Sequence, residues 1–534
     1  MDGSESLIRI TSWNVAGKDP MNGTMLDYLF DDSRRPINLK PDIQIVGFQE
    51  APQYLFSDPW TSTLSTTLRR RGYILFKRHK LSGILLYIFV LREIMLRARD
   101  FETESVKTGF GGLLGNKGGV SLRFSLNGNS FCATNSHLAA HQENLAQRIQ
   151  DYHSILDGTK FTIDPNTASV TTHDYSFWFG DLNFRFDDIE KHEVLNIITK
   201  ARTAANDSAK VEAISTLYNN DQLSRVKKKK VAFAEYDENP PKFMPTYKFQ
   251  IGNQDFYDSE HRTPAWTDRV LFRYHKDSRR MMEANLKPRI EQLFYDAIPE
   301  TILSDHKPIV SMFKVVTFDP SKYNPSHIPY EVIQFQPVTD WKSGVDGRLW
   351  YRISNELFYQ RPKILSSWDR LALYKADYAS LEEYQTIVFA NNIARISPNL
   401  GAQEVAYQSS TTSSRSSSPS HSRRNSTSSM ASNISVGTEA ISLNTTDTSA
   451  VSTSALSSTT TSTIPLRQSP SSPIVVNAIP DDAVIGDGFK YFSVTFPDEV
   501  MIPGRYVILY LKTNPANEFN VYGISAPFNV TATN

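Results

Sequence analysis

A series of polar residues punctuates otherwise apolar stretches in the first part of the chain: Asn14, Glu50, His137, Asp181, Asn183, Asp268, Asp305 and His306. Carboxylates, amides and imidazoles in this mixture suit the hydrolysis of a phosphate ester. Such a site must neutralise the phosphoryl oxygens, deprotonate a water in line with the leaving group and support the departing oxygen. Asp181 is a candidate base, and Asn183 is a neutral donor that could hold the water or the phosphate. His137 and His306 can donate to non-bridging oxygens, with a carboxylate fixing the tautomer and orientation of His306. A hard cation such as magnesium takes few carboxylates and keeps several waters, a role that Glu50 fits.

Elements that end in polar residues must bring these groups together. The central one is Ser176 to Arg185, an apolar strand running into Gly180, Asp181 and Asn183, where two short polar groups two apart face the same way on an extended chain. Ile8 to Asn14 and Asp42 to Glu50 read as two further strands with ligands at their ends. Gly83 to Val90, Val120 to Phe124 and Ser130 to Ser136 read as three more, the last running into His137. Leu138 to Leu156 carries apolar residues at helical spacing. Alternating strands and helices over about the first 316 residues predict a layered α/β domain. Each polar group also has a plain reading: Asn14 as a turn cap, Glu50 as a solvated carboxylate, His137 as structural, Asp305-His306 as a turn, Asp268-Arg269 as an ion pair. Their occurrence together and in this order argues against the plain readings.

The bulk composition narrows the function classes. With 534 residues there is room for two or three domains. Lysine plus arginine and aspartate plus glutamate each number 57, so the chain lacks the basic balance of a nucleic-acid binder. The single cysteine, Cys132, sits in an apolar context and suits a reducing compartment. The acidic start Met1 to Glu5 does not read as a signal peptide, and the longest apolar run is about half of a membrane span. A cytoplasmic monomer is expected.

The motifs themselves are specific. Ser12-Trp13-Asn14-Val15, Gln49-Glu50, Gly115 to Val120, Asn135 to Leu138, Phe177 to Arg185, Pro245 to Lys248, Pro264 to Leu271 and Ser304 to Pro308 resemble, in order, the signatures of the inositol polyphosphate 5-phosphatases. The resemblance covers residues 5 to 316 and implies a two-sheet sandwich flanked by helices, the fold of magnesium-dependent endonucleases. It implies that Glu50, with Asn14 nearby, binds magnesium and that Asp181 activates water. It also implies that Asn183, His137 and His306 hold the 5-phosphate, that Asp268 pairs with His306, and that Asp305 lies close to the metal. Tyr247, Lys248 and Arg262 match residues that contact a neighbouring 4-phosphate, as does Lys117. Two positions depart from the pattern. Glu260 stands where a lysine is common and should weaken attraction for phosphate, and Thr267 replaces a common cysteine.

The glycine-rich stretch Gly111 to Gly119 could bring backbone amides and Lys117 to a phosphate, or form a mobile hairpin; the resemblance favours binding. Phe110, Leu113 and Leu114 beside it could enter a membrane or pack on the sheet. The basic run Arg225, Lys227 to Lys230 could face an anionic bilayer, at on the order of 1 kcal/mol per residue.

From Phe318 short β-branched and aromatic segments predict a small antiparallel, immunoglobulin-like sandwich. Val332 to Ala390 and Phe492 to Phe528 resemble the two parts of a SKICH domain, implying peripheral membrane contact or a protein partner. Residues 317–399 and 476–534 would form it, and the Ser/Thr-rich residues 400–475 would be a disordered insertion. Ser426, after Arg423-Arg424, resembles a kinase site. The leading reading is a magnesium-dependent phosphoinositide 5-phosphatase. The competing readings are a nuclease- or sphingomyelinase-like phosphodiesterase and an inactive membrane adaptor. Pro245-Thr246-Tyr247-Lys248 and the Gly-Asn-Lys-Gly-Gly loop argue against the first, and the retained polar set argues against the second.

Overall fold

The computed structural model of the chain describes residues 3–20, 23–33, 39–54, 58–253, 262–278, 281–282, 286–318, 330–339, 341–360, 364–390, 488–498 and 501–533. Glu260, Ser426 and the Ser/Thr-rich insertion lie outside these residues.

In chain order the first region comprises β1 (Ser4–Asn14), α1 (Gly23–Leu29), β2 (Ile43–Gln49), α2 (Pro59–Arg69), β3 (Tyr73–Leu81), β4 (Ile84–Leu91), β5 (Ala98–Gly109), β6 (Leu114–Leu126) and β7 (Asn129–His137). It continues with α3 (Leu145–Gly158), β8 (Tyr175–Asp181), α4 (Lys191–Arg202), α5 (Asp207–Tyr218), α6 (Gln222–Lys228), β9 (Asp268–Tyr274), β10 (Ile290–Ala297) and β11 (Ile309–Thr317). One sheet runs β10-β11-β1-β2-β4-β3 and the other β5-β6-β7-β8-β9. The sandwich and its helices match the expected α/β architecture.

The period-two alternation of strand side chains explains the layering. In β4, Ile84, Leu86, Ile88 and Val90 enter the core between the sheets, while Leu85, Tyr87, Phe89 and Leu91 enter a second core with Trp60, Leu64 and Leu68 of α2. In β8, Phe177 and Phe179 face the first core, and Trp178 faces a third with Tyr152 and Ile155 of α3. An all-apolar strand is therefore required, since neither face meets water. Each such side chain contributes roughly 1.5–3 kcal/mol by leaving water.

Two parallel pairs set the site. β1 and β2 run side by side with Asn14 opposite Gln49, and β7 and β8 do the same with His137 opposite Asp181. Asp181 in turn faces Asp268 at the start of the antiparallel β9. Five strand ends thereby deliver polar groups to one edge of the sandwich. Asn135 joins the two sheets beneath that edge, its Nδ2 donating to the carbonyls of Phe48 at 3.0 Å and Leu85 at 2.8 Å.

The helix expected over Leu138 to Leu156 begins only at Leu145. His141 has a left-handed φ of 76°, and the Arg148 guanidinium donates to the carbonyls of Ala139, His141 and Gln142, holding residues 138–144 as a loop. Tertiary hydrogen bonds override the local helical pattern there.

The second region is all β: β12 (Gln334–Phe335), β13 (Gly347–Ser354), β14 (Arg370–Lys375), β15 (Thr386–Phe389), β16 (Phe489–Phe496), β17 (Gly504–Thr513), β18 (Phe519–Ile524) and β19 (Phe528–Val530), with the short helix α7 (Asn355–Tyr359). Sheets β12-β13-β16 and β15-β14-β17-β18, with β19 on β17, face each other across Leu349, Tyr351, Leu371, Leu373, Phe492, Ile508 and Tyr510. The opposite face of the larger sheet, carrying Ala372, Tyr374, Val507, Leu509, Leu511 and Val521, belongs to the same core as Phe101 and Phe76 of the first region. Polar contacts reinforce this. Leu75 N donates to Ala379 O at 2.8 Å and Leu381 N to Leu75 O at 3.1 Å, so residues 379–381 cover the free edge of β3.

Candidate active site

Asp181 is the centre of the strand-end cluster. It is 1% exposed, and its Oδ2 accepts from Asn14 Nδ2 at 2.9 Å and lies 3.3 Å from His137 Nε2 and 3.9 Å from His306 Nε2. Gly180 makes this position attainable. Its φ is +133°, and a Cβ there would lie 2.0 Å from Ser136 O, so β8 reaches β7 only with glycine.

His306 is held on its far side. Its Nδ1 lies 2.9 Å from Asp268 Oδ2, its carbonyl accepts from Trp13 Nε1 at 3.0 Å, and its amide donates to Ser304 Oγ at 3.1 Å. Burial alone would push His306 down, but the carboxylates of Asp268, Asp181 and Asp305 outweigh it and hold the imidazole at about 9. It is an imidazolium at neutral pH, with Nδ1–H given to Asp268 and Nε2–H free to point at the centre. Burial alone would raise Asp181, but His306, His137 and Lys117 together hold it far below the usual carboxylate range.

His137 and Lys117 form the other wall. Lys117 Nζ contacts His137 Nε2, and Glu50 Oε1 is 3.7 Å from the same nitrogen. Burial lowers His137, and Lys117 lowers it further; burial also lowers Lys117, partly offset by Asp181 and Glu50. This places Lys117 inside the site, reached from the β5–β6 hairpin.

Asn183 differs from the sequence expectation. It is not on extended chain but at a left-handed φ of 57°, just past β8. Its amide N–H donates to Asp181 Oδ1 at 3.1 Å, its Nδ2 donates to Leu138 O at 3.1 Å, and its Oδ1 accepts from Arg185. Asparagine tolerates this conformation because its short side chain bonds locally. Arg185 then lies over Tyr247 at 4.6 Å, and Tyr247 packs on His306 at 4.6 Å between ring centroids. Lys248 Nζ is 4.0 Å from Asp305 Oδ2. Arg262 stands apart from that pair. It reaches His141 Nδ1 at 3.0 Å and, with Arg185, lines an open cleft of about 770 Å³ that also receives Arg225 and Lys229.

The donor set suits a divalent cation. Asp181, Asp268 and His306 place candidate ligand atoms within 4.8 Å of one another. The raised imidazole and its hydrogen bond to Asp268 make His306 a donor rather than a ligand. Glu50, at a left-handed φ of 54° after β2, presents a carboxylate whose side chain is 48% exposed beside buried His137, an open single carboxylate of the kind a hard divalent cation such as magnesium takes. Asn14 faces the same place, although its Oδ1 already accepts from Ala16 N at 3.0 Å.

Several residues inside the quoted motifs take roles that the sequence did not assign them. Thr246 and Thr267 both donate to Asp268 Oδ2, at 2.6 and 2.9 Å. Gln49 Nε2 donates to Asn135 Oδ1 at 2.7 Å. Their only signal in the sequence was membership of those motifs, since a hydroxyl or amide beside a chemical group does not reveal its partner.

Residues 11–312 match the model of the Endonuclease/Exonuclease/phosphatase family 2. The chain belongs to that family. Among its relatives, the phosphatidylinositol 4,5-bisphosphate 5-phosphatase A of Mus musculus is 28% identical over 398 residues, covering 72% of this chain and 37% of that protein. Inositol polyphosphate 5-phosphatase K of Mus musculus is 28% identical over 405 residues, covering 72% of this chain and 79% of the other. The chain thus spans little more than a third of the first relative's length and most of the second's. A solved inositol polyphosphate 5-phosphatase domain of SPsynaptojanin, in complex with inositol (1,4)-bisphosphate and calcium ion, is 31% identical with a TM-score of 0.49, covering 60% of this chain and 88% of that one. Among the described residues no helix is long and apolar enough to cross a membrane.

Proposed function

We propose that the chain is a magnesium-dependent phosphatase that removes the 5-phosphate of phosphoinositides at a membrane surface. The observation that carries this reading is the placement of the ionised Asp181 carboxylate between His137 Nε2 and His306 Nε2, with His306 locked to Asp268. Asp181 takes the proton of the attacking water. The His306 imidazolium donates from Nε2 to a non-bridging phosphoryl oxygen, and Lys117 and His137 face the same oxygens. Asn183, its amide engaged by Leu138 and Arg185, fixes the backbone that presents Asp181 and lines the phosphate position. Glu50, with Asn14 and Asp305 near it, would hold magnesium, which when bound supplies charge neutralisation at the phosphoryl group. A phosphate dianion entering among Lys117, His137 and His306 offsets the positive charge that keeps Asp181 so acidic, so the carboxylate gains basicity when substrate arrives.

Tyr247, Lys248 and Arg262 would recognise a 4-phosphate, the first two from the segment that packs on His306. The exposed Phe110, Leu113 and Leu114 on the β5–β6 hairpin would enter the bilayer beside Lys117. We assign the phosphatase domain to residues 1–316 and a SKICH-like sandwich to 317–399 and 476–534, interrupted by the insertion 400–475, with localisation in the cytoplasm at membrane surfaces. The sandwich would serve a protein or membrane partner.

Phosphate release from phosphatidylinositol 4,5-bisphosphate and 3,4,5-trisphosphate vesicles and from soluble inositol phosphates, with and without magnesium, tests the reading. Single-stranded DNA and sphingomyelin serve as rival substrates. Release only from the 5-phosphorylated inositides with magnesium supports it; turnover of the rivals alone overturns it.

A further inference from the structure

Asp268 is a fully buried carboxylate with an uneven set of partners. Its Oδ2 accepts from His306 Nδ1 at 2.9 Å, Thr246 Oγ1 at 2.6 Å and Thr267 Oγ1 at 2.9 Å, while its Oδ1 has no hydrogen-bond partner among the described residues. Both threonines are fully buried, so water does not compete for their hydroxyls. Thr267 Oγ1 also lies 3.4 Å from His306 Nδ1, on the flank of the bond between ring and carboxylate.

We propose that Thr246 and Thr267 are positioning residues of the hydrolytic centre, acting through Asp268 to aim His306. A carboxylate held by one imidazole alone can rotate about its Cβ–Cγ bond and let the ring swing with it. Two hydroxyls arriving from separate segments, together with the imidazole, pin the shared oxygen from three directions and fix the plane of the carboxylate. The ring plane then follows, and with it the direction of Nε2 towards Asp181 Oδ2 at 3.9 Å. Reactions that depend on such aim lose about a hundredfold for a displacement of about 1 Å.

The two hydroxyls also tie the centre to its surroundings. Thr246 immediately precedes Tyr247, whose ring packs on His306, and its carbonyl accepts from Lys307 N at 2.9 Å. Thr267 O accepts from Leu182 N at 2.8 Å and Asn183 N at 3.3 Å, directly after Asp181. The segment proposed to meet substrate and the turn that carries the base are therefore both fastened to the one oxygen that orients His306.

The inference rests on the phosphatase reading for its kinetic consequence but not for its geometry, and two measurements separate them. The first is turnover of inositol 1,4,5-trisphosphate with magnesium. Thr267→Val, which keeps the shape and removes the donor, should lower kcat by about ten- to a hundredfold with KM changed less than about threefold, and Thr267→Ser should recover most of the loss. Thr246→Val, at the second hydroxyl, should repeat the result and serves where the first variant folds poorly. The second measurement needs no substrate: the low-field proton resonance of the His306 Nδ1–H shared with Asp268 should shift in either valine variant and return towards its original position in Thr267→Ser. A serine variant as impaired as the valine one, or losses that simply follow thermal stability, would overturn the proposal. An inactive wild-type chain whose resonance still responds would count against the phosphatase reading and leave the positioning role supported.

Discussion

His306 Nδ1 lies 2.9 Å from Asp268 Oδ2, and the opposite nitrogen of the same ring faces Asp181 Oδ2 at 3.9 Å. One imidazole thus bridges two buried carboxylates, and its proton inventory becomes a stability term. The folded value is about 9 against an ordinary 6.5, because Asp268, Asp181 and Asp305 overcome the cost of burial. A folded pKa above the unfolded one contributes stability fully below about pH 6.5 and loses it as pH rises through about 9. The upper bound is roughly 3 kcal/mol. Urea midpoints measured between pH 6 and pH 10 should fall more steeply for the wild type than for His306→Gln, and equal slopes would refute the assignment.

The same protonation state should govern turnover. Activity should decline on the alkaline side as His306 loses its Nε2 proton, and Asp181→Asn should lower kcat by roughly a thousandfold or more while retaining the far-UV spectrum of the folded chain. Near-normal activity in Asp181→Asn would remove Asp181 as the base.

Glu50 is the most solvent-open carboxylate of the cluster, and its role can be read without activity. Thermal shift against magnesium concentration should show saturable stabilisation of the wild type, following the logarithm of ligand over dissociation constant. Glu50→Gln should move the midpoint of that titration to at least about tenfold higher magnesium. An unchanged midpoint would place the cation elsewhere.

Much of this arrangement was legible because strand ends are written locally. Ile8 to Asn14, Asp42 to Glu50 and Phe177 to Asp181 each show an apolar run closing on a polar group, and the sheets do bring Asn14, Glu50, His137 and Asp181 together. The Asp268–His306 pair was expected from the family resemblance and stands at bonding distance. What escaped depends on partners far away in sequence. The loop at residues 138–144 is fixed by Arg148, the left-handed Asn183 by Arg185 and Leu138, and the loading of Asp268 by two threonines 21 residues apart in the chain. Periodicity carries no information about such contacts. The shared core between the two regions was invisible for the same reason, since Val507 and Leu509 read simply as an alternating strand.

Gly180 offers a sharp structural check. A methyl at this position meets Ser136 O at 2.0 Å and requires a φ that β-carbons disfavour. Gly180→Ala should destabilise by about 3 kcal/mol or more and shift the two β7–β8 strand ends apart. A loss below about 1 kcal/mol in urea unfolding would show that the strand pair can relax.

The contact between the two regions should make them unfold together. Arg99 donates to Tyr330 O at 2.6 Å and lies over Tyr522 at 4.4 Å, and Asn514 Nδ2 donates to Phe101 O at 2.9 Å, so both polar and apolar contacts cross the boundary. Calorimetry of the full chain should give one transition for the two regions, and Arg99→Ala should lower stability by about 1–2 kcal/mol. Two separated transitions in the wild type would show that the shared core does not couple them.

Phe110, Leu113 and Leu114 are 81%, 71% and 55% exposed at the tip of the β5–β6 hairpin, so the alternative of packing against the sheet is not realised. Three large apolar side chains left in water gain free energy only by leaving it elsewhere, and a bilayer beside Lys117 is the surface that the substrate reading supplies. The triple change to serine should leave urea stability within about 0.5 kcal/mol, since no buried contact is lost. Binding to vesicles containing phosphatidylinositol 4,5-bisphosphate should fall at least about tenfold, and turnover of that lipid should fall with it. Turnover of soluble inositol 1,4,5-trisphosphate should hold, because Lys117 and His137 lie behind the tip rather than on it. Unaltered vesicle binding and lipid turnover in the triple variant would assign the hairpin no part in meeting the membrane.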